Sequence, residues 1–91
     1  MQIEFDADKD AGNREKHGVS LAFGANVLAD ADRLDLLDVR FDYAEERFVT
    51  YGMAEDRVWV CVSARRGEVH RIISVRKANE RETQRYQETP R

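Results

Sequence analysis

The sequence predicts an α+β domain in which two N-terminal helices pack on one face of a small antiparallel sheet and a C-terminal helix follows the sheet. Three observations favour this class. Helix-cap signals occur twice early in the chain, four alternating segments with short polar connections follow from Leu34, and helix-forming residues fill the last segment. With 91 residues and no linker-like stretch, we expect one domain that spans residues 1–91.

The first two elements should be a short strand and a helix. Residues 1–5 alternate apolar and polar side chains, and Asp6 is a good N-cap for a helix that reaches His17. Gly18 then supplies the left-handed position that ends a helix. Lys16 and His17 fall in the last turn, where the helix dipole favours positive charge. Residues 16–18 therefore act as a signal for the end of the helix. The position of this helix end also determines where the cationic side chains of Lys16 and His17 lie.

The second helix should begin after Ser20, which is a suitable cap. Leu21, Ala25 and Leu28 then recur at i, i+4 and i+7 and form one apolar stripe that can lie on a sheet. The helix should end near residues 30–32.

Strands are predicted at residues 34–40, 47–53, 57–64 and 68–76. Their connections at 54–56 and 65–67 are short, which requires antiparallel neighbours. The last segment, residues 77–87, has helix-forming residues but only Ala78 and Tyr86 as apolar ones, so this helix cannot bury much surface by itself.

Alternation along each strand separates a core row from an outward row. The core rows should be formed by apolar residues, namely Val58, Val60, Val62, Val69, Ile73 and Val75. The outward rows should then contain Trp59, Cys61, Ser63, His70, Ile72, Ser74 and Arg76. Arg71 falls on the core side of its strand by the same count. In strand 47–53 either row could be the core, and we favour Arg47 and Tyr51 on the outward side. One uncovered face should therefore carry Arg, His and aromatic side chains.

The charge distribution agrees with an anionic ligand on this face. Residues 1–46 contain 5 Lys/Arg against 12 Asp/Glu, a net charge of −7, whereas residues 47–91 contain 10 against 6, a net charge of +4. Guanidinium groups hold phosphates and aromatic rings stack on unpaired bases, so single-stranded nucleic acid fits. A protein partner is the alternative, because Tyr and Trp are also common at protein interfaces, and a solvated strand edge would need no ligand.

The first helix carries a second polar row. Lys9, Asn13, Lys16 and His17 stand at i, i+4, i+7 and i+8 and therefore share a face. This row is either an ordinary solvated face or a further contact to the ligand.

Several function classes are disfavoured by composition. The sequence lacks a run of about 20 apolar residues and a signal-peptide pattern, so we expect a cytoplasmic protein without a membrane partner. Cys61 is the single cysteine, so an internal disulfide is excluded, and one Cys with two His cannot form a zinc cage. We therefore expect no metal and no cofactor, with a metal bound by carboxylates as the open alternative.

Three blocks of the sequence resemble the signature blocks of the BrnT toxin family in order and spacing. They are FDADKDAGNREKHGVSL, EERFVTYGMA and RIISVRKANERETQRY. The residues that match the family pattern are Phe5, Asp6, Lys9, Asn13, Lys16, His17, Glu46, Arg47, Gly52, Arg71, Ile72, Ile73, Ser74, Arg76, Ala78, Glu82 and Tyr86. The family often has Trp at the position of Phe5 and Phe at that of Leu21, and both replacements keep an apolar side chain.

The resemblance implies the toxin of a bacterial type II toxin–antitoxin pair, with a fold like the RelE ribonucleases, that cleaves RNA and inhibits translation. It also implies a BrnA-like antitoxin with a ribbon-helix-helix domain as partner. The oligomeric state stays open, with a dimer within the toxin–antitoxin complex as one option. The alternative is a non-catalytic module that binds the antitoxin and modulates repression of the operon.

For the enzyme we predict a metal-independent endoribonuclease, which needs proton transfer at the 2′-OH and the leaving oxygen, and cations at the phosphate. The predicted catalytic residues are Lys9, Lys16, His17, Glu46, Arg47 and Arg76. Arg47 and Arg76 should bind the phosphate, Glu46 or His17 should transfer protons, and the two lysines should assist electrostatically. The predicted RNA contacts are Asn13, Tyr51, Trp59, His70, Arg71 and Ser74, and the predicted partner contacts are Lys77, Glu82 and Tyr86.

Overall fold

A computed structural model describes residues 1–39 and 45–91. In chain order the elements are β1 (Gln2–Glu4), α1 (Ala7–His17), a short 3₁₀ helix (Leu21–Phe23), α2 (Gly24–Leu28), β2 (Leu34–Leu37), β3 (Arg47–Ala54), β4 (Arg57–Arg66), β5 (Val69–Lys77) and α3 (Glu80–Glu88). The α+β class is therefore confirmed. Arg40, the predicted end of the second strand, lies outside the described residues.

The caps that the sequence predicts for α1 are present. The Asp6 carboxylate accepts hydrogen bonds from the backbone N–H groups of Asp8 and Lys9. At the other end Gly18 adopts the left-handed conformation with φ 73°. Ser20 caps the next element as expected, but that element begins as the 3₁₀ helix and continues as the five-residue α2.

The five strands form one sheet in the order β1-β5-β4-β3-β2. Neighbours among β2, β3, β4 and β5 are antiparallel. The short turns from β3 to β4 and from β4 to β5 require this direction. The expectation of an antiparallel sheet is wrong for β1, which pairs in parallel with β5. Turn length fixes direction only for strands joined by a turn, and α1 follows β1 instead, so the sheet is mixed.

The helices lie on both sides of the sheet. The 3₁₀ helix and α2 cover one side, here called the α2 face, where the buried core contains Leu21, Val27, Trp59, Cys61 and Ile72. The opposite side, here called the α3 face, is covered at one end by α3, with a core of Tyr51, Val58, Val60, Ala78 and Tyr86. The predicted arrangement of both N-terminal helices on one face is not confirmed, since α1 lies along β5 and contacts it through Asn13.

The predicted assignment of the core rows is wrong for β4. Val58 and Val60 face α3, whereas the row predicted to be outward is buried under α2, with Trp59 at 6% and Cys61 at 0% exposure. Alternation shows that two rows differ but not which helix covers each row. In β5 the alternation is also interrupted, because a register shift opposite Val62 and Ser63 leaves Ile73 without a partner in β4.

Close packing of α2 on the sheet depends on one glycine. A Cβ on Gly52 would collide with the backbone carbonyl of Val27, so α2 could not approach β3 as closely with any other residue.

The last helix begins later than predicted. Lys77 is still the end of β5, and α3 begins at Glu80. Asn79 and Glu82 form a reciprocal capping box there, since each side chain accepts from the other residue's backbone N–H. Among the described residues, the helices are all too short or too polar to span a membrane.

Candidate functional site

A groove crosses the α3 face beside helix α3. It has a volume of about 330 Å³ and is open to solvent. Apolar side chains from β2, β3 and β4 form most of its wall, and Arg76 and Glu82 lie at its α3 side. The apolar lining residues are Leu36, Leu37, Val39, Val49, Val60 and Val62.

Arg76 is held at this groove by a two-pronged contact with helix α3. Its Nη1 and Nη2 atoms donate to Oε1 and Oε2 of Glu82, both at 2.8 Å. The hydrogen bond from Arg76 is the main reason why the pKa of Glu82 lies below its usual value, and Glu82 in turn raises the pKa of Arg76. A guanidinium binds phosphate through the same fork of N–H groups, so the Glu82 carboxylate occupies the position that a phosphate would take.

A second group of charged side chains lies at the other end of the α3 face. Arg66 donates to Glu45 at 2.7 Å, and Arg71 lies 3.4 Å from the Glu4 carboxylate. The hydrogen bond from Arg66 lowers the pKa of Glu45. The predicted site residues do not include Arg66 or these carboxylates, although alternation from Val60 and Val62 places Arg66 on the same side of β4.

Register shows how the predicted arginines are arranged. Tyr51, Val60 and Arg76 stand in one row across the sheet, and Arg47, Ala64 and Arg71 stand in another. All of them lie on the α3 face, so Arg47 and Arg76 share a surface. The two rows are four residues apart along β3, or ~13 Å, a spacing that suits separate anionic groups better than a single one.

Ser74 and Tyr51 also belong to the α3 face, with different accessibility. Ser74 pairs with Val62 between the two rows and is half-buried. Tyr51 is only 8% exposed because its ring packs in the core under α3. Glu46 directly precedes β3 and is exposed, and its backbone carbonyl accepts from Arg65.

The predicted polar row of α1 is divided. Asn13 is buried, and its amide nitrogen donates to the carbonyls of Val19 at 2.8 Å and Val75 at 2.9 Å, while its oxygen accepts from the Val75 N–H. Its side chain thus continues the hydrogen bonding of β5 and is not available to RNA in this conformation. Lys9 and Lys16 are exposed and His17 is half-buried.

Helix α1 runs beside β5 toward the Arg76 end. Asp6 lies within electrostatic reach of Arg71, and Asn13 contacts Val75, so both elements run in the same direction. His17 lies four residues after Asn13, or ~6 Å further along the helix axis. The groove beside α3 does not include Lys9, Lys16 or His17 among its lining residues.

The expectation that Trp59 and His70 lie on the same uncovered face as Arg76 is wrong. Trp59 is buried on the α2 face, where its ring contacts Phe23 edge to face and its Nε1 donates to the Ala54 carbonyl. It cannot stack on a base there. His70 also lies on the α2 face, where it stands directly opposite Arg65 in the neighbouring strand β4.

The predicted partner contacts have unequal accessibility. Lys77 is exposed, and Glu82 is engaged by Arg76. Tyr86 is only 8% exposed, and its hydroxyl donates to Asp30, so it holds α3 on the sheet instead of facing a partner. Burial and the hydrogen bond to the Asp30 carboxylate together raise the pKa of Tyr86 to about 12.

Within residues 1–39 and 45–91, His, Cys, Asp and Glu side chains form no group of three that could hold a metal ion. The charged groups of the α3 face can instead bind and position an anion, with arginines in two rows and an apolar groove beside one of them.

Comparison with protein-family models identifies a family. A family model described as the ribonuclease toxin BrnT of type II toxin-antitoxin systems matches residues 5–82. A search of curated proteins found no match.

Proposed function

The chain belongs to the BrnT family of ribonuclease toxins of type II toxin–antitoxin systems, and from this we propose that it is a metal-independent endoribonuclease whose substrate lies on the α3 face. Membership of such a system gives it an RNA target and a protein antitoxin. Beyond family membership, we propose which surface binds RNA, which residues act on the RNA and which kind of antitoxin binds the chain.

One observation carries the proposal: Arg76 lies at the groove on the same face as Arg47 and Arg71, with both arms of its guanidinium paired to the Glu82 carboxylate. Three arginines on one face suit a chain of phosphates better than a single anion. We place the phosphate to be cleaved at Arg76, with Arg47 and Arg71 at other phosphates because they lie in a separate row. Ser74 lies between the two rows, and its hydroxyl is suited to a hydrogen bond with the same RNA chain.

Phosphate binding at Arg76 requires a change of partner. The Glu82 carboxylate must leave the guanidinium, or share it, before a phosphate can use the same N–H groups. This exchange is feasible because the Arg76 side chain is 37% exposed and the ion pair is therefore partly solvated.

Cleavage without a metal ion uses the 2′-OH of the RNA as nucleophile. A general base takes its proton and a general acid protonates the leaving 5′ oxygen, while cations stabilise the charge that develops on the phosphate. Of the two predicted proton-transfer residues, His17 is the better placed, because α1 runs toward the Arg76 end of β5 whereas Glu46 lies at the end of β3 remote from it. Lys9 and Lys16 remain proposed electrostatic contributors on exposed positions of α1.

For the antitoxin we propose a ribbon-helix-helix protein that covers the groove and Arg76 and contacts the exposed Lys77. Glu82 can contact the antitoxin only after its carboxylate has left Arg76. Tyr86 is not part of the proposed partner contact, because its side chain is buried.

The test is cleavage of a labelled RNA by the purified chain in the presence of EDTA. We expect cleavage that leaves a 2′,3′-cyclic phosphate. In Arg76→Ala the cleavage rate should fall by about a hundredfold or more. Arg85→Ala is the matched control, since Arg85 is an exposed arginine of α3 outside the groove lining. Loss of cleavage in EDTA would show that the reaction needs a metal, and full activity of Arg76→Ala would remove the α3 face from the proposal.

A non-catalytic module is the second candidate, and the closed Arg76–Glu82 pair favours it. If that pair never opens, the α3 face binds a protein and not RNA. Induction of the chain without antitoxin in cells separates the two. Growth arrest with RNA breakdown supports the enzyme, whereas unaffected growth and RNA at good expression supports the module.

A further inference from the structure

A second polar crevice lies on the α2 face, away from Arg76. It is here called the His70 crevice and is formed by Arg33, Phe48, Thr50, Ser63, Arg65 and His70, among other residues. Thr50 and Ser63 are at most 2% exposed and form its floor, while Arg65 is exposed at its rim. Its volume of about 40 Å³ has room for one small polar group and not for a nucleobase.

The charges around this crevice are unequal. The Arg33 Nε lies 3.1 Å from Asp35, and Thr50 donates to the same carboxylate at 2.7 Å, so Asp35 already has partners. Arg65 has no carboxylate within ion-pair distance in the described part of the chain, and its guanidinium stacks 4.7 Å from the centre of the Phe48 ring. One arginine on the rim is therefore positioned by an aromatic ring, and it has no anionic partner in residues 1–39 and 45–91.

The environment of His70 supports this picture of a positive crevice. Burial is the largest cause that lowers its pKa, and the positive charges of Arg65 and Arg33 lower it further, against a smaller opposite effect of Asp35. His70 is therefore neutral near pH 7 and can donate one ring N–H to an anion without first taking up a proton.

We propose that the His70 crevice binds a single phosphate-sized oxyanion between the Arg65 guanidinium and the His70 ring, with Arg33 adding positive charge. Because the crevice is on the face opposite Arg76, this site is separate from the proposed cleavage surface. The same oxyanion chemistry is offered by free phosphate and by a phosphate of a nucleic-acid backbone.

The experiment is an NMR titration of the His70 ring resonances in the full chain at neutral pH. One arm uses inorganic phosphate, and the other uses a DNA tetranucleotide, which lacks the 2′-OH and is therefore not a substrate for cleavage. We expect a saturable shift with phosphate and a rise in the pKa of His70, because a bound anion favours the imidazolium. Tighter binding of the tetranucleotide identifies the backbone as the source, and a response to phosphate alone identifies the free ion.

Two arginines of β4 provide matched variants. Arg65 stacks on Phe48 and Arg57 stacks on Trp59, and both are exposed. Arg65→Ala should weaken phosphate binding about tenfold, as expected for one charge-assisted hydrogen bond, and Arg57→Ala should leave it unchanged. Arg76→Ala should also leave the His70 response unchanged, so failure of the proposed cleavage surface does not affect this test. No response of His70 in either arm, or equal weakening by Arg57→Ala and Arg65→Ala, overturns the proposal.

Discussion

The two faces of the sheet differ in how completely they are covered. On the α2 face, the 3₁₀ helix and α2 bury a continuous apolar core in which Leu21, Val27 and Cys61 have no exposed surface. Among the described residues, α3 covers one end of the α3 face, and an open groove and the side chains of Arg47, Arg71 and Arg76 lie on the rest. The difference indicates a division of labour, since the closed face stabilises the fold and the open face is accessible to a ligand.

Helix composition explains the difference. The segment from Leu21 to Leu28 is largely apolar, whereas α3 contributes Tyr86 as its buried residue and carries polar side chains elsewhere. A helix is held on a sheet mainly by the apolar area that it removes from water. Because α3 has little apolar surface, it does not extend over Val62 or over the row of Arg47, Ala64 and Arg71. Among residues 1–39 and 45–91, the groove is the part of the α3 face that no apolar helix surface fills.

The largest predicted effect concerns Cys61, the thiol under α2. Burial raises the pKa of Cys61 to about 12. Near pH 8 its thiolate fraction should then be roughly a thousandfold below that of an ordinary thiol. Ellman's reagent should react very slowly with the folded chain and at once in guanidinium. Similar rates in both conditions would show that the α2 face opens readily and would remove the contrast between the faces.

The second prediction compares core truncations on the two faces. Leu21→Ala should lower the free energy of unfolding by about 3 kcal/mol, because Leu21 is fully buried and the cavity cannot close. Val49→Ala, in the wall of the open groove, should cost about 1 kcal/mol, since Val49 is only partly buried. Chemical denaturation measures both. Equal losses would mean that the α3 face contributes as much to stability as the α2 face.

The sequence predicts the local elements of this fold better than their arrangement. The caps at Asp6, Gly18 and Ser20 act within a few residues, so they can be recognised without knowledge of the tertiary structure. The parallel pairing of β1 with β5 joins opposite ends of the chain and leaves no local signal. The interruption of alternation at Ile73 is also a property of the pair of strands and not of one strand.

The candidate site shows the same limit. Alternation identified Arg76 and Arg47 for one face, and register confirms that these two share it. Alternation placed Arg71 on the opposite side from Arg76, which is wrong, because the interruption at Ile73 brings Arg71 onto the α3 face. Trp59 was assigned to this face wrongly, because two apolar rows of β4 look alike and both are covered. Asn13 was predicted to contact RNA because its helical position is polar, but a polar side chain can equally complete a strand edge, as it does at Val75.

The third prediction tests that edge contact, which joins α1 to the sheet. Asn13→Ala leaves the N–H and carbonyl of Val75 without their partner and should lower the free energy of unfolding by about 2 kcal/mol. Asn26→Ala is the control, because Asn26 is exposed on α2 and its replacement should change stability little. A near-neutral Asn13→Ala would indicate that water or another group satisfies Val75, and α1 would then not be fixed beside the Arg76 end of β5.

The smallest predicted effect on stability is at the Arg76–Glu82 pair, where α3 meets the open part of its face. Glu82→Gln keeps the shape of the side chain and removes its charge, so it should lower the free energy of unfolding by about 0.5–1 kcal/mol, the range of partly solvated ion pairs. Glu80→Gln makes the same charge change in the first turn of α3 without a contact to Arg76 and is the matched control.

The pH dependence of the same variant separates the ion pair from a general effect of charge. Arg76 lowers the pKa of Glu82 in the folded chain, so the stabilisation is complete above the unfolded value near 4.5 and is lost as the pH falls through the lower folded pKa. The stability of Glu82→Gln should therefore fall less steeply than that of the unmodified chain below about pH 4.5.

The same variant should also change RNA cleavage. Glu82→Gln weakens the contact that competes with phosphate for Arg76, so cleavage near neutral pH should rise a few-fold even though the protein is less stable. A decrease in cleavage that matches the loss of stability would show that Glu82 positions Arg76 for the substrate and does not compete with it.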